Sequence, residues 1–259
     1  MSDSVTKITL PNVNDFSNFI SLGYFCDVAE AIQRIGLRKQ SYPFDWIISN
    51  DLNSLLLLIK NGFKDFLNYD VLLQSKTKKS IYKNAKYNVI FYHDFDEYLS
   101  LEKQLPKIQE KYKRRIDRFY NSIRQPTLFI RYIADEEEAR YISVNYFELS
   151  KTLKGYNKQN EIIFLCNSDI NTSSTLDNIL FKLNPDKGDI VCRNIIDGNS
   201  RLREYLFSID KSKIDKTSIE KYKQIQRNKY PSLIVCFKRK AKKLVKRIFY
   251  RQYNHINKF

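Results

Sequence analysis

Apolar positions along the chain fall into short solid runs separated by longer stretches with helical spacing, and this alternation is the first guide to its architecture. Residues 19–22 read as a strand, Gly23 permits a tight turn, and Val28, Ala31, Ile32 and Ile35 then recur every three or four residues until Gly36. Residues 52–62 read as a helix that opens after Asp51 and ends at Gly62, whereas residues 64–86 keep no steady period. Residues 88–92 form a compact apolar run, a strand that delivers His93 and Asp94 at its C-terminal edge. Leu101, Leu105, Ile108, Tyr112, Ile116, Phe119 and Ile123 trace one face of a long helix, with Lys111, Lys113, Arg114, Arg115 and Arg118 on the other, and Gln125-Pro126 stops it. Residues 127–133 predict a strand, residues 135–153 a helix whose first residues are acidic, and residues 161–165 and 189–193 two more strands. Strands separated by helices of about ten residues or more require crossover connections. The class predicted is therefore α/β, in three layers, with a mainly parallel sheet flanked by helices.

A chain of 259 residues with 42% hydrophobic content can bury a full-sized core without disulfide or metal staples. The four cysteines, Cys26, Cys166, Cys192 and Cys236, show no paired CxxC spacing, and the N-terminus has no signal-peptide pattern, so a reducing cytoplasm is expected. Two histidines and four scattered thiols supply none of the usual close ligand pairs for zinc, and neither a metal nor another cofactor is expected. No stretch approaches the roughly 18 apolar residues that cross a bilayer.

The net charge of +16 changes this picture because it is unevenly spread. Residues 210–259 carry 16 Lys or Arg against three acids, which leaves only +3 for residues 1–209. The division expected is an α/β thiol-enzyme-like domain over 1–209 and a basic helical tail over 210–259. Within the tail, residues 237–251 hold eight Lys or Arg and no acid, while Phe237, Ala241, Leu244, Val245 and Ile248 recur at helical spacing. Such an amphipathic cationic helix suits the surface of an anionic membrane, and with no nucleic-acid-reading motif beside it, phosphate-backbone binding ranks lower. Packing of the stripe on the domain, with solvated charges, is the plainer alternative.

Candidate chemistry gathers where the strand at 19–22 meets the following helix. Cys26 lies at or beside that helix start, where unpaired N–H groups and the positive end of the dipole favour a thiolate, although Asp27 partly opposes it. His93, at the end of another strand, is a thiol-compatible base, and Asp45, Asp94, Asp96 and Asp169 are candidates to orient its ring. In open α/β sheets ligands bind beyond the carboxyl ends of strands, which here also carry Arg131. Ser21, Gly23, Arg38, Ser41, Trp46 and Arg131 form the candidate substrate-binding set. Two readings compete in the 36–46 stretch: Arg38, Ser41 and Asp45 grip an anionic or sugar-bearing substrate, or Asp45 pairs with Arg38 while Phe44 and Trp46 pack in the core. Cys166 also ends a strand but has no helix start after it, Cys192 and Cys236 sit in apolar runs, and His255 falls among the last few residues, where fraying is common.

Ser21-Leu22-Gly23, Cys26, Ala29, Gly36-Leu37-Arg38, Ser41 and Pro43-Phe44-Asp45-Trp46, followed by a strand ending in His93-Asp94-Phe95, resemble the bacterial family described as putative papain-like cysteine peptidases. That family is a domain of unknown function often associated with surface-polysaccharide biosynthesis clusters. The resemblance is densest over residues 19–47, continues loosely to about residue 195 and omits the basic tail. It implies a Cys26 nucleophile and a His93 base. The function expected is a cysteine-dependent hydrolase or acyl/amide transferase acting on a glycan- or peptide-like substrate, cytoplasmic and peripheral at the inner membrane face. The alternatives are a non-catalytic glycan or nucleotide-sugar binding module and, last, a glycosyltransferase-like protein in which Arg131 and strand-end acids hold a sugar phosphate.

Overall fold

The computed structural model describes residues 8–183 and 195–229. The strand expected at 189–193, the amphipathic segment 237–251, Cys192, Cys236 and His255 lie outside the described residues. In chain order the strands and helices are β1 (Asn18–Ser21), α1 (Cys26–Arg34), β2 (Ile47–Ser49), α2 (Leu52–Lys60), β3 (Leu72–Gln74), β4 (Tyr82–Asn84), β5 (Val89–Phe91), α3 (Leu101–Ile123), β6 (Thr127–Tyr132), α4 (Glu136–Lys154), β7 (Glu161–Asn167), β8 (Leu180–Leu183), α5 (Ser200–Phe207) and α6 (Lys216–Lys229).

The α/β class holds, but the strands divide into two sheets of four. One is wholly parallel in the order β1-β6-β7-β8, and the other is antiparallel in the order β2-β5-β4-β3. A single, mainly parallel three-layer sheet is thus corrected on one point that matters for the site: β5, which leads to His93, belongs to the antiparallel sheet. Its strands are only three residues long, and β4 and β5 are joined by a short turn in which Asn88 takes a left-handed φ of 52°. Strands that short present too few positions for alternation to register.

The parallel sheet follows from composition. All six residues of β6 are buried and β7 is buried along its centre, as expected for strands covered on both faces. Both flanking helices are capped by their own sequence: Asp51 accepts from the Ser54 amide at 2.6 Å to open α2, and Asp135 accepts from the Glu138 amide at 2.9 Å to open α4. The buried stripe of α3 centres on Phe119, whose ring contacts Phe44 (5.5 Å between centroids), Phe63 (5.9 Å) and Phe129 of β6 (6.4 Å). Phe44 is therefore core, and its neighbours fix the loop that leads into β2.

Residues beyond the charge boundary at 209/210 also pack on the domain. The Asp215 amide donates to the Gly36 carbonyl at 2.8 Å, and the Ser218 hydroxyl donates to the Arg38 carbonyl at 2.6 Å. Gly36, at φ +79°, faces the side chains of Ile214 and Ile219 so closely that a Cβ would lie 2.6 Å from Ile214.

Candidate active site

The turn after β1 is built by close approach. Ser21 is fully buried, and its hydroxyl accepts from the Gly23 amide at 3.2 Å. Gly23 has φ +84°, and a Cβ there would stand 2.5 Å from Ser49 Oγ and 3.0 Å from Arg131 Nη1, so the position excludes a side chain. Arg131, on β6, is the reason for the crowding. It is wholly buried, and its five N–H groups make five hydrogen bonds: to the Leu22 carbonyl, to the hydroxyl and carbonyl of Ser49, and two to Glu138 Oε1. One guanidinium thus ties the end of β1, the end of β2 and the first turn of α4 together. Ser21, Gly23 and Arg131 therefore sit inside the junction of the two sheets, away from the cleft surface.

From this turn the chain enters α1 with Cys26 as its first helical residue. Phe25, the N-cap, supplies no side-chain hydrogen bond, so the first amides of α1 keep their donors for something else. Opposite, β5 ends and Tyr92 and His93 follow. The His93 ring stands edge-on to Trp46, 6.4 Å between centroids, and 5.1 Å from Tyr92. Phe25, Cys26 and Asp27 on one side and Trp46, Ile47, Ile48, Tyr92 and His93 on the other line a single cleft of about 230 Å³. Cys26, His93 and Trp46 are thus brought together, each from a different segment of the chain.

Electrostatics at the sulfur run against the helix-start expectation. Burial, then the charge of Asp27 and a hydrogen bond to it, push the Cys26 thiol from its ordinary 9.0 up to about 12, outweighing the contribution of its own backbone N–H. The resting thiol is protonated and donates to Asp27 Oδ1 at 3.4 Å. Asp27 itself is only 7% exposed, and its second oxygen, Oδ2, has no hydrogen-bond partner among the described residues. His93 is exposed and makes no side-chain hydrogen bond among the described residues.

The acids considered as orienting partners lie elsewhere. Asp94 turns to Lys111 (2.5 Å) and the Tyr112 hydroxyl (2.8 Å). Asp45 is fully buried, and its Oδ2 accepts from Arg38 Nε and Nη2 at 2.8 and 2.6 Å and from the Tyr42 amide at 2.8 Å. Asp96 accepts from the Tyr98 amide, and Asp169 is exposed beyond β7. Arg38 also donates to Gln33 Oε1 (2.7 Å) and Ser41 Oγ (2.8 Å), and its guanidinium lies 5.7 Å from the Trp46 ring centroid. Of the two readings of this stretch, the ion pair is the one formed: Arg38, Ser41 and Asp45 brace the loop behind Trp46. Cys166 is fully buried and its thiol is pushed up to about 11, chiefly by burial, as suits a packing residue.

Sequence spacing passes over Ile48 and Tyr92 as cleft residues and treats Asp27 only as an opponent of the thiolate. Tyr92 was signalled only by adjacency to His93. Ile48 faces Ile90 across β2 and β5, a pairing that no local pattern announces. Among the described residues no group of three or more His, Cys, Asp or Glu side chains converges as a metal site would require, and no helix is long and apolar enough to cross a membrane.

Cys26, which opens α1, and His93, which follows β5, line one cleft, and the family match covers both segments. Residues 17–166, more than half of the chain, match the family described as putative papain-like cysteine peptidase, and the chain belongs to that family. An uncharacterized protein of Acanthamoeba polyphaga mimivirus is 32% identical over 187 residues, covering 64% of this chain and 78% of the viral protein. No solved structure matches the chain.

Proposed function

We propose that the protein is a cysteine-dependent hydrolase or acyl/amide transferase with Cys26 as nucleophile and His93 as general base and acid. The observation that supports this reading is that the two side chains line one cleft, each carried there by a different sheet. In the first step His93 takes the Sγ proton, the sulfur bonds to the acyl carbon of the substrate, the bond from that carbon to the leaving nitrogen or oxygen breaks, and His93 returns the proton to the departing atom. Water, or an acceptor hydroxyl or amine, then gives a proton to His93 and bonds to the thioester carbon. The sulfur leaves and recovers its proton. The uncapped amides at the start of α1 offer donors to the oxyanion. Burial first, and then Asp27, hold the thiol protonated at rest, so the proton leaves only as the imidazole takes it.

Alkylation with iodoacetamide near pH 7.5, mapped by mass spectrometry, tests the dyad. Cys26 is expected to react faster in the wild-type protein than in His93→Ala. Equal, slow rates would remove His93 as the base and favour the second reading, a non-catalytic binding module, which the protonated resting thiol supports. The resemblance further suggests work on a glycan- or peptide-like molecule during surface-polysaccharide assembly at the inner membrane face. The charge pattern of residues 237–251 supports contact with anionic lipid. Salt-sensitive binding to phosphatidylglycerol vesicles, lost when the chain ends near residue 230, is the expected outcome.

A further inference from the structure

We infer that the cleft beside Cys26 receives an apolar acyl chain of about six to eight carbons, so that the group carried on the sulfur is a medium-chain acyl rather than a sugar or a peptide segment. This inference rests on the thiol reading above and adds the identity of the group transferred.

Three observations carry it. The first is the wall. Phe25, Trp46, Ile48 and Tyr92 face the space with rings and a branched aliphatic chain, and the lining is almost wholly carbon. Its charged or titratable members near the sulfur, Cys26, Asp27 and His93, are already assigned to the reaction, and Trp46 and Tyr92 add one ring N–H and one hydroxyl to otherwise apolar rings. A sugar or a peptide segment would meet polar groups only at the Cys26 end, at Asp27, His93 and the first amides of α1, and would lay its remaining hydroxyls or amides against carbon, which is unfavourable. The second is the fate of the groups that could have supplied those partners. Arg38 donates to Ser41, Asp45 and Gln33, and Arg131 and Ser21 are closed inside the sheet junction. The third is size. At ~30 Å³ for each water-sized element of volume, a space of this size takes about eight non-hydrogen atoms, which is a hexanoyl to octanoyl group with its carbonyl at the sulfur. The remainder of a substrate, glycan or otherwise, stays outside the cleft on the leaving-group side.

The test uses the full-length protein and p-nitrophenyl esters of acetate, butyrate, hexanoate, octanoate and dodecanoate, with Cys26→Ala run in parallel. Attack by sulfur forms the thioester, breaks the ester C–O bond and releases p-nitrophenol, read by absorbance. Each buried methylene is expected to raise kcat/KM about fourfold, so hexanoate should exceed acetate by about two orders of magnitude, with a fall at dodecanoate where the space is full. Ile48→Phe, which takes up part of the volume, should move the optimum toward butyrate. A Cys26-dependent rate that is flat with chain length, or greatest for acetate, overturns the acyl-chain inference while leaving the thiol chemistry standing. So does a clear preference for the p-nitrophenyl ester of N-acetylphenylalanine over hexanoate. Equal hydrolysis of every ester by the wild-type protein and Cys26→Ala overturns the thiol reading and this inference with it. Should Ile48→Phe fail to fold, the wild-type chain-length series decides alone.

Discussion

The two walls of the cleft differ in how firmly they are held. On the Cys26 side, β1 is paired along its length with β6, the turn at Gly23 is closed by contact, and Arg131 fixes the junction with five hydrogen bonds. On the His93 side, a three-residue strand gives way to an exposed ring that touches Trp46 and Tyr92 by their edges. The sulfur is positioned by a packed turn and its thiol raised by burial, while the exposed imidazole meets its neighbours only by ring edges among the described residues. The proposed thiol chemistry depends on both walls, because burial and Asp27 raise the cost of ionising the sulfur and the imidazole is the group proposed to take its proton.

The comparison can be broken from either wall. The largest effect is expected from Cys26→Ala, which removes the nucleophile and should abolish ester turnover, by a factor of about 10⁴ or more, without lowering the melting temperature appreciably. His93→Ala should lower turnover by about 10²–10⁴ and leave stability nearly unchanged, because the ring is exposed and makes no side-chain hydrogen bond among the described residues; a large fall in melting temperature would show that this wall is not the loose one. Arg131→Met should act the opposite way. It leaves the buried Glu138 without its ion partner and is expected to cost about 3–5 kcal/mol in urea unfolding, with activity lost only through unfolding. A variant of unchanged stability would mean that the junction is held by something other than this guanidinium. The smallest effect is the most diagnostic. Asp27→Asn removes the charge that raises the Cys26 thiol, keeps an amide oxygen able to accept from it, and leaves burial, the largest influence, in place. The thiol pKa should fall from about 12 yet stay above the ordinary 9.0, so the pH profile of alkylation shifts to lower pH. The rate between pH 7 and 9 should rise about tenfold for each unit gained.

The same contrast governs what could be read from residue order. The apolar stripe of the 23-residue α3 and the buried runs of β6 and β7 carry long, regular signals, and those elements lie close to where the spacing predicts. The antiparallel sheet does not announce itself, because three residues of β2, β3, β4 or β5 cannot establish a period and their pairing is decided by distant partners. Cys26 at a helix start and His93 after a strand are both local features and are found where expected; their meeting in one cleft is a property of the tertiary arrangement. Arg38 and Arg131 look like ligand grips in the sequence because a strand-end or loop arginine gives no sign of what will enclose it. Their partners, Gln33, Asp45, Ser49 and Glu138, become neighbours only when the chain folds. The charge state of Cys26 escapes for the same reason, since removal from water, the strongest influence on it, depends on the packed surroundings.

The docking of residues 214–219 onto the loop after α1 bears on how the chain can be shortened. The helix that begins with Cys26 ends beneath Ile214, Asp215 and Ser218. A trimmed version stopping at 209, where the charge changes, would strip the cover from Gly36 and Arg38 and free the far end of the helix that presents the sulfur. A minimal active fragment should therefore retain everything through residue 229, lysines included, even though the surplus of positive charge suggests a dispensable appendage.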